Sequence, residues 1–103
     1  MKIPEFKVNT MRDFQLMIDH GDMKIHRAIV DSILKNIKSR KKTIHMFNVK
    51  CVEDNETIEI TLPRENFVET LHENRIYFES KELYEDCNII KEAIDTLSNK
   101  QLK

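Results

Sequence analysis

Glycine is nearly missing from this chain: the 103 residues contain one, Gly21. A phosphate-cradling loop needs several, because only a bare backbone lets successive N–H groups close around a phosphate. Nucleotide-binding loops of that kind are therefore excluded. Proline is almost as scarce, at two residues, and no Gly/Ser-rich stretch marks a flexible linker. A chain of this length without a linker predicts one domain over 1–103. Tryptophan is absent, which removes the best stacking platform for an unpaired base. No apolar run approaches the ~18 residues that cross a bilayer. The segment Met1-Lys2-Ile3-Pro4-Glu5-Phe6 lacks the apolar core and small-residue cleavage site of a secretion signal. These absences predict a cytoplasmic protein with no membrane partner.

Chemistry-bearing residues are present but do not assemble. Cys51 and Cys87 are too few for a disulfide scaffold and do not sit at a zinc spacing; they read as small apolar packers. His20, His26, His45 and His72 fall in four separate elements, none at a ligand spacing from another His or Cys. Acidic residues crowd 53–95, but at helix-surface spacings rather than as a carboxylate pair in a cleft. The expectation is a non-catalytic protein with no cofactor and no metal.

What is there is charge, unevenly divided. Residues 1–50 hold 11 Lys/Arg against 5 Asp/Glu, a net of +6, and residues 51–103 hold 6 against 13, a net of −7. A basic half joined to an acidic half suggests self-association or a charged partner for one face.

Along the chain, the first eight residues read as extended, with Ile3, Phe6 and Val8 as anchors and 3–8 as a candidate edge strand. Thr10 with Asp13 forms a capping pattern before a short helix over 11–20, and Gly21 suits the left-handed position that ends it. Asp22 caps a longer helix over 23–40, whose end is basic: Lys35, Lys38, Arg40, Lys41 and Lys42. Cations favour the negative end of a helix dipole, and the same run is the candidate contact for nucleic acid. The period then changes from 3.6 to 2. His45, Phe47, Val49 and Cys51 fall on one face of a strand, and Ile58, Ile60 and Leu62 on one face of the next. A turn at Asp54-Asn55 would pair Cys51 with Ile58, Val49 with Ile60 and Phe47 with Leu62, with Lys50 opposite Glu59. Pro63 opens a helix over 63–79. Ser80 caps a last helix over 81–98, seamed by Leu83, Cys87, Ile90, Ile94 and Leu97.

The predicted fold is therefore a small α+β domain of order α-α-β-β-α-α. Its helices flank a two-stranded antiparallel β-hairpin, and residues 63–98 form a C-terminal helical hairpin after 1–62.

The stretch 84–97, Tyr-Glu-Asp-Cys-Asn-Ile-Ile-Lys-Glu-Ala-Ile-Asp-Thr-Leu, resembles the second half of the UVR motif, the UvrB/UvrC-type helical hairpin. Tyr84 and Glu85 match its aromatic–acidic opening, Cys87 its first small position, and Ile90, Lys91, Glu92, Ile94 and Leu97 the remainder. Asn88 departs from the second small apolar position, and Lys91-Glu92 stand where the family usually has Arg-Asp. The preceding helix matches loosely through Leu71 and Phe78, and nothing in 1–62 extends the likeness. The resemblance implies a protein–protein contact module without catalytic residues, with Tyr84, Glu85, Ile90, Lys91 and Glu92 as candidate partner contacts. The partner would be another protein or a second copy. The alternative is a nucleic-acid-binding accessory protein using Lys35, Lys38, Arg40, Lys41 and Lys42.

Overall fold

Two separated strands frame the N-terminal half. The computed structural model of the protein describes residues 3–101, and side chains through Ser98. The elements run β1 (Glu5–Val8), α1 (Met11–Asp19), α2 (Met23–Lys35), β2 (Thr43–Cys51), β3 (Glu56–Pro63), a 3-10 turn (Arg64–Asn66), α3 (Phe67–Ser80) and α4 (Tyr84–Gln101). The sheet is mixed and three-stranded, in the order β1-β2-β3. This corrects the expected two-stranded hairpin and the order α-α-β-β-α-α: the chain begins with a strand, giving β-α-α-β-β-α-α.

β1 pairs parallel to β2, Phe6 beside Val49 and Val8 beside Cys51. A parallel pair needs a crossover connection, and here α1 and α2 supply it. Four residues of strand become worthwhile because their side chains reach the core: Val8 is buried, and Phe6 meets Phe47 edge-on at 5.2 Å. The ladder continues past both strand ends, with Asn48 donating to the Pro4 carbonyl at 2.9 Å and Val52 to the Val8 carbonyl at 2.8 Å.

α1 starts as its sequence predicts. Thr10 Oγ1 accepts from the Asp13 N–H at 3.2 Å, and Asp13 returns the bond to the Thr10 N–H at 3.3 Å. It ends at Gly21, whose φ of +72° lets Gly21 donate to the Ile18 carbonyl and Asp22 to the Met17 carbonyl, closing the orphan carbonyls of the last turn. The α3–α4 joint repeats this geometry without glycine: Glu82 adopts φ +58°, and Leu83 donates to the Phe78 carbonyl at 3.0 Å.

Further expectations need correction. Pro63 ends β3 rather than opening a helix, and α3 starts at Phe67. α2 stops at Lys35 rather than 40, because Asn36 caps it and Ser39 Oγ turns back to the Asn36 carbonyl. Ser80 does not cap α4; its hydroxyl donates to the Tyr77 carbonyl, and α4 starts at Tyr84. The β2–β3 hairpin forms, but two residues out of the expected register: Phe47 faces Ile60, Val49 faces Ile58 and Cys51 faces Glu56, while Lys50 faces Thr57 rather than Glu59. A bulge between His45 and Phe47 then places Ile44 on the inner face with Phe47. His45 turns to the other face, its Nε2 2.6 Å from Asn48 Oδ1.

The core runs from the inner sheet face through α2 and α3 to α4. Phe47, Phe67 and Phe78 are its largest fully buried side chains, with Ile25, Ile33, Leu71 and Ile90 around them. Both cysteines lie in it as free thiols. Among the described residues no helix is long and apolar enough to cross a membrane.

Candidate functional site

α4 carries the residues singled out by the UVR-like stretch, and its two sides have different fates. The seam Cys87, Ile90, Ile94 and Leu97 is buried, together with Ala93, inside the one core. α3 packs along α4, and α2 reaches α4 through Arg27. The Cys87 thiol donates to the Arg75 carbonyl of α3 at 3.7 Å, and Arg27 of α2 grips the Asp86 carboxylate with both guanidinium nitrogens, at 3.0 and 3.2 Å. Arg27 also lies over the Phe78 ring at 5.3 Å, and the Asp86 bond raises its pKa further.

Ile90 is therefore no surface contact. At 0% exposure it is core, because the i, i+3, i+4 spacing that places it in the motif also places it on the seam. Tyr84, Glu85, Lys91 and Glu92 are the reverse: all four side chains are exposed, Tyr84 at 61%. None of the four makes an ion pair or side-chain hydrogen bond with the described residues. Tyr84 and Lys91 stand two turns apart on one side of the helix, as do Glu85 and Glu92. Ile89, 48% exposed, adds an apolar side chain to this outer surface.

The basic run is the second candidate. Lys35 sits in the last turn of α2, where the helix dipole favours it. Lys38, Arg40, Lys41 and Lys42 lie beyond the helix, so the dipole does not account for them. All five are exposed, and among the described residues none is in an ion pair; the two pairs present are Arg27–Asp86 and Arg75–Glu79. Lys35 and Lys41 rim a cleft of about 290 Å³ with Ile3, Pro4, His45 and Met46 along it.

A residue that no sequence pattern marked holds this loop. The Arg64 guanidinium donates to the carbonyls of Asn36 and Ser39 and, through Nε, of Lys41, each at 2.7 Å. It also reaches the Ser39 hydroxyl at 2.8 Å and the Ile37 carbonyl at 3.4 Å, and it rests over the Phe67 ring at 4.8 Å. A rigid fork of donors can satisfy several carbonyls converging from one turn. The loop is thus braced by a cation whose partners are all neutral.

A third cluster joins the α1–α2 corner to α3. Asn74, 4% exposed, places Oδ1 2.8 Å from His26 Nδ1 and donates through Nδ2 to the Thr70 carbonyl. That amide orientation puts the proton on Nδ1. The His26 ring stacks on Tyr77 at 3.8 Å, and the Tyr77 hydroxyl donates to the Gly21 carbonyl at 2.7 Å. Burial, with the nearby Asp22 charge, pushes the phenol pKa up, so it remains a donor. The His26–Asn74 and Tyr77–Gly21 bonds join α2 and the α1–α2 corner to α3, while the Asn74–Thr70 bond stays within α3.

Burial likewise pushes both thiols up, away from the thiolate that a nucleophile or metal ligand needs. Among the described residues no three His, Cys, Asp or Glu side chains converge as a metal site. α3 separates the two candidate surfaces. Arg64 precedes its start and Tyr84 follows its end, and its 14 residues span about 20 Å at ~1.5 Å per helical residue. No protein-family model matches the chain, and comparison with curated proteins and with solved structures finds no match either.

Proposed function

We propose that this is a non-catalytic protein-binding domain that engages another protein through the outer face of α4. The observation that supports this most is Tyr84, a large aromatic left 61% exposed on a helix whose own seam is already buried. Aromatic side chains with few rotatable bonds are the usual anchors of interfaces, and here the helix beneath is rigidly backed by the core. Lys91 on the same side, with Glu85 and Glu92 alongside, supplies the mixed-charge rim that sets orientation. The resemblance of 84–97 to a UVR hairpin points the same way, with Ile90 reassigned to the core.

Nucleic-acid binding by the basic run is the second reading, supported by the Arg64-braced loop with its exposed, unpaired cations. One experiment separates them: affinity capture from the native host with wild type and with Tyr84→Ala/Lys91→Glu. The double variant is expected to lose its protein partner while melting within a few degrees of wild type, since neither side chain belongs to the core. Capture that survives the double variant but disappears on nuclease treatment would transfer the function to the basic run.

A further inference from the structure

β3 is an eight-residue strand with one side open: the order β1-β2-β3 leaves its outer edge without a neighbouring strand among the described residues. Two hydrogen bonds determine which residues face that edge. The Arg64 N–H donates to the Lys42 carbonyl at 2.7 Å, so the even-numbered positions of β3 direct their backbone groups toward β2. Asn48 donates to Pro4 of the N-terminal segment, which leaves Phe47, Val49 and Cys51 facing β3, opposite Ile60, Ile58 and Glu56. Backbone direction alternates along a strand. Thr57, Glu59 and Thr61 therefore present N–H and C=O outward, and Pro63, without an N–H, presents only its carbonyl.

The usual protections are misplaced for guarding this edge. The bulge lies in β2, proline comes only at the last position of β3, and the charges on the strand are two glutamates, Glu56 and Glu59, with no lysine. The inner row Ile58, Ile60 and Leu62 packs against the core yet remains half-buried.

We propose that β3 pairs antiparallel with β3 of a second copy of this chain, joining the two three-stranded sheets into one. The outward parity admits few registers. Pairing Glu59 with Glu59 sets like charges directly opposite, which is destabilising. Moving the two-fold axis to Ile60 makes the two Glu59 side chains diagonal rather than directly opposite and overlaps 57–63 of both strands. Glu59 then exchanges both bonds with Thr61 of the second copy, and Thr57 donates to its Pro63 carbonyl. On the inner face Ile60 meets Ile60, and Ile58 meets Leu62, covering the half-buried row.

Charge favours the same arrangement. One end of β3 carries Glu53, Asp54 and Glu56, and the other lies beside Lys41, Lys42 and Arg64. Two-fold symmetry brings each acidic end to the other copy's basic end. Lys42 is one strand in from the edge, so about two strand spacings, roughly 10 Å, separate it from Glu56 of the second copy. That is about one Debye length at 0.1 M salt, making the attraction effective at low salt and screened at high salt. The pairing uses none of the exposed α4 residues and is independent of the function proposed for them.

Sedimentation and amide exchange on the full chain test this together. The expected species has twice the 12.3 kDa chain mass, reverts toward monomer as salt rises, and is unaffected by Tyr84→Ala/Lys91→Glu. Amides of Thr57 and Glu59, which face away from the chain's own sheet, should exchange at least ~10-fold slower than in a monomeric variant, and that of Thr61 slower than an exposed loop amide. Thr61→Pro supplies that variant: it removes an outward N–H without touching the internal ladder, and should yield a folded monomer. Should Thr61→Pro prove unfolded, the wild-type amide pattern still decides. A wild-type chain that stays monomeric at NMR concentrations overturns the proposal. So does a dimer whose Thr57, Glu59 and Thr61 amides exchange like those of an exposed loop.

Discussion

Arg64→Lys keeps the positive charge and removes the fork. In wild type the guanidinium spans the carbonyls of Asn36, Ser39 and Lys41 at 2.7 Å and stacks on Phe67. A hydrogen bond from a charged donor contributes about 1.5–3 kcal/mol when its partner is buried. The acceptors here are only part-buried or exposed, so water recovers some of that on removal. An ammonium on a flexible stem retains one of the three short bonds and loses the planar stacking, itself about 0.5–1 kcal/mol. The expected loss is about 2 kcal/mol for Arg64→Lys and about 3 kcal/mol for Arg64→Ala. At ~4–8 °C per kcal/mol for a domain near 100 residues, these are drops of roughly 10 °C and 15 °C in Tm. Calorimetry reads the loss, and amide exchange over 36–42 locates it. If Arg64→Lys melts with wild type while Arg64→Ala falls, charge rather than the fork holds the loop. If neither variant moves by more than a few degrees, the brace contributes nothing and the reasoning fails.

The two left-handed helix ends should respond with opposite signs. Gly21→Ala forces a side chain onto φ +72° with its Cβ 3.0 Å from the Tyr77 ring and should cost about 1–2 kcal/mol, whereas Glu82→Gly relieves a side chain at φ +58° and should gain up to ~1 kcal/mol, both read by denaturant midpoint. Stability should also fall on the alkaline side. Burial raises the Cys51 and Cys87 thiols above their ordinary value of 9.0, so the unfolded chain loses these protons first, and the stabilisation present below pH 9 declines as pH rises through the folded values. A melting temperature flat from pH 8 to beyond the tyrosine range would contradict that burial.

Local chemistry was legible in the sequence wherever a residue's neighbours along the chain decide its role. Thr10 and Asp13 cap α1 because a capping box is built from residues three apart. Gly21 ends the helix because φ above zero is costly for other residues, and Cys87, Ile90, Ile94 and Leu97 are buried because 3.6-residue periodicity puts them on one side. The exposed candidates Tyr84, Glu85, Lys91 and Glu92 follow from that same period. Tertiary structure decided what periodicity does not encode. An extended 3–8 was legible, but the partner of β1 lies beyond two helices, so its parallel pairing with β2 and the Phe6–Phe47 contact belong to the tertiary structure. The bulge between His45 and Phe47 is a single extra residue, invisible in an alternating pattern, yet it turns His45 away from the core and brings in Ile44. Arg64 looked like any surface cation. Its role exists only because folding brings the end of β3 against the turn after α2, where several carbonyls need donors and one planar fork can reach them.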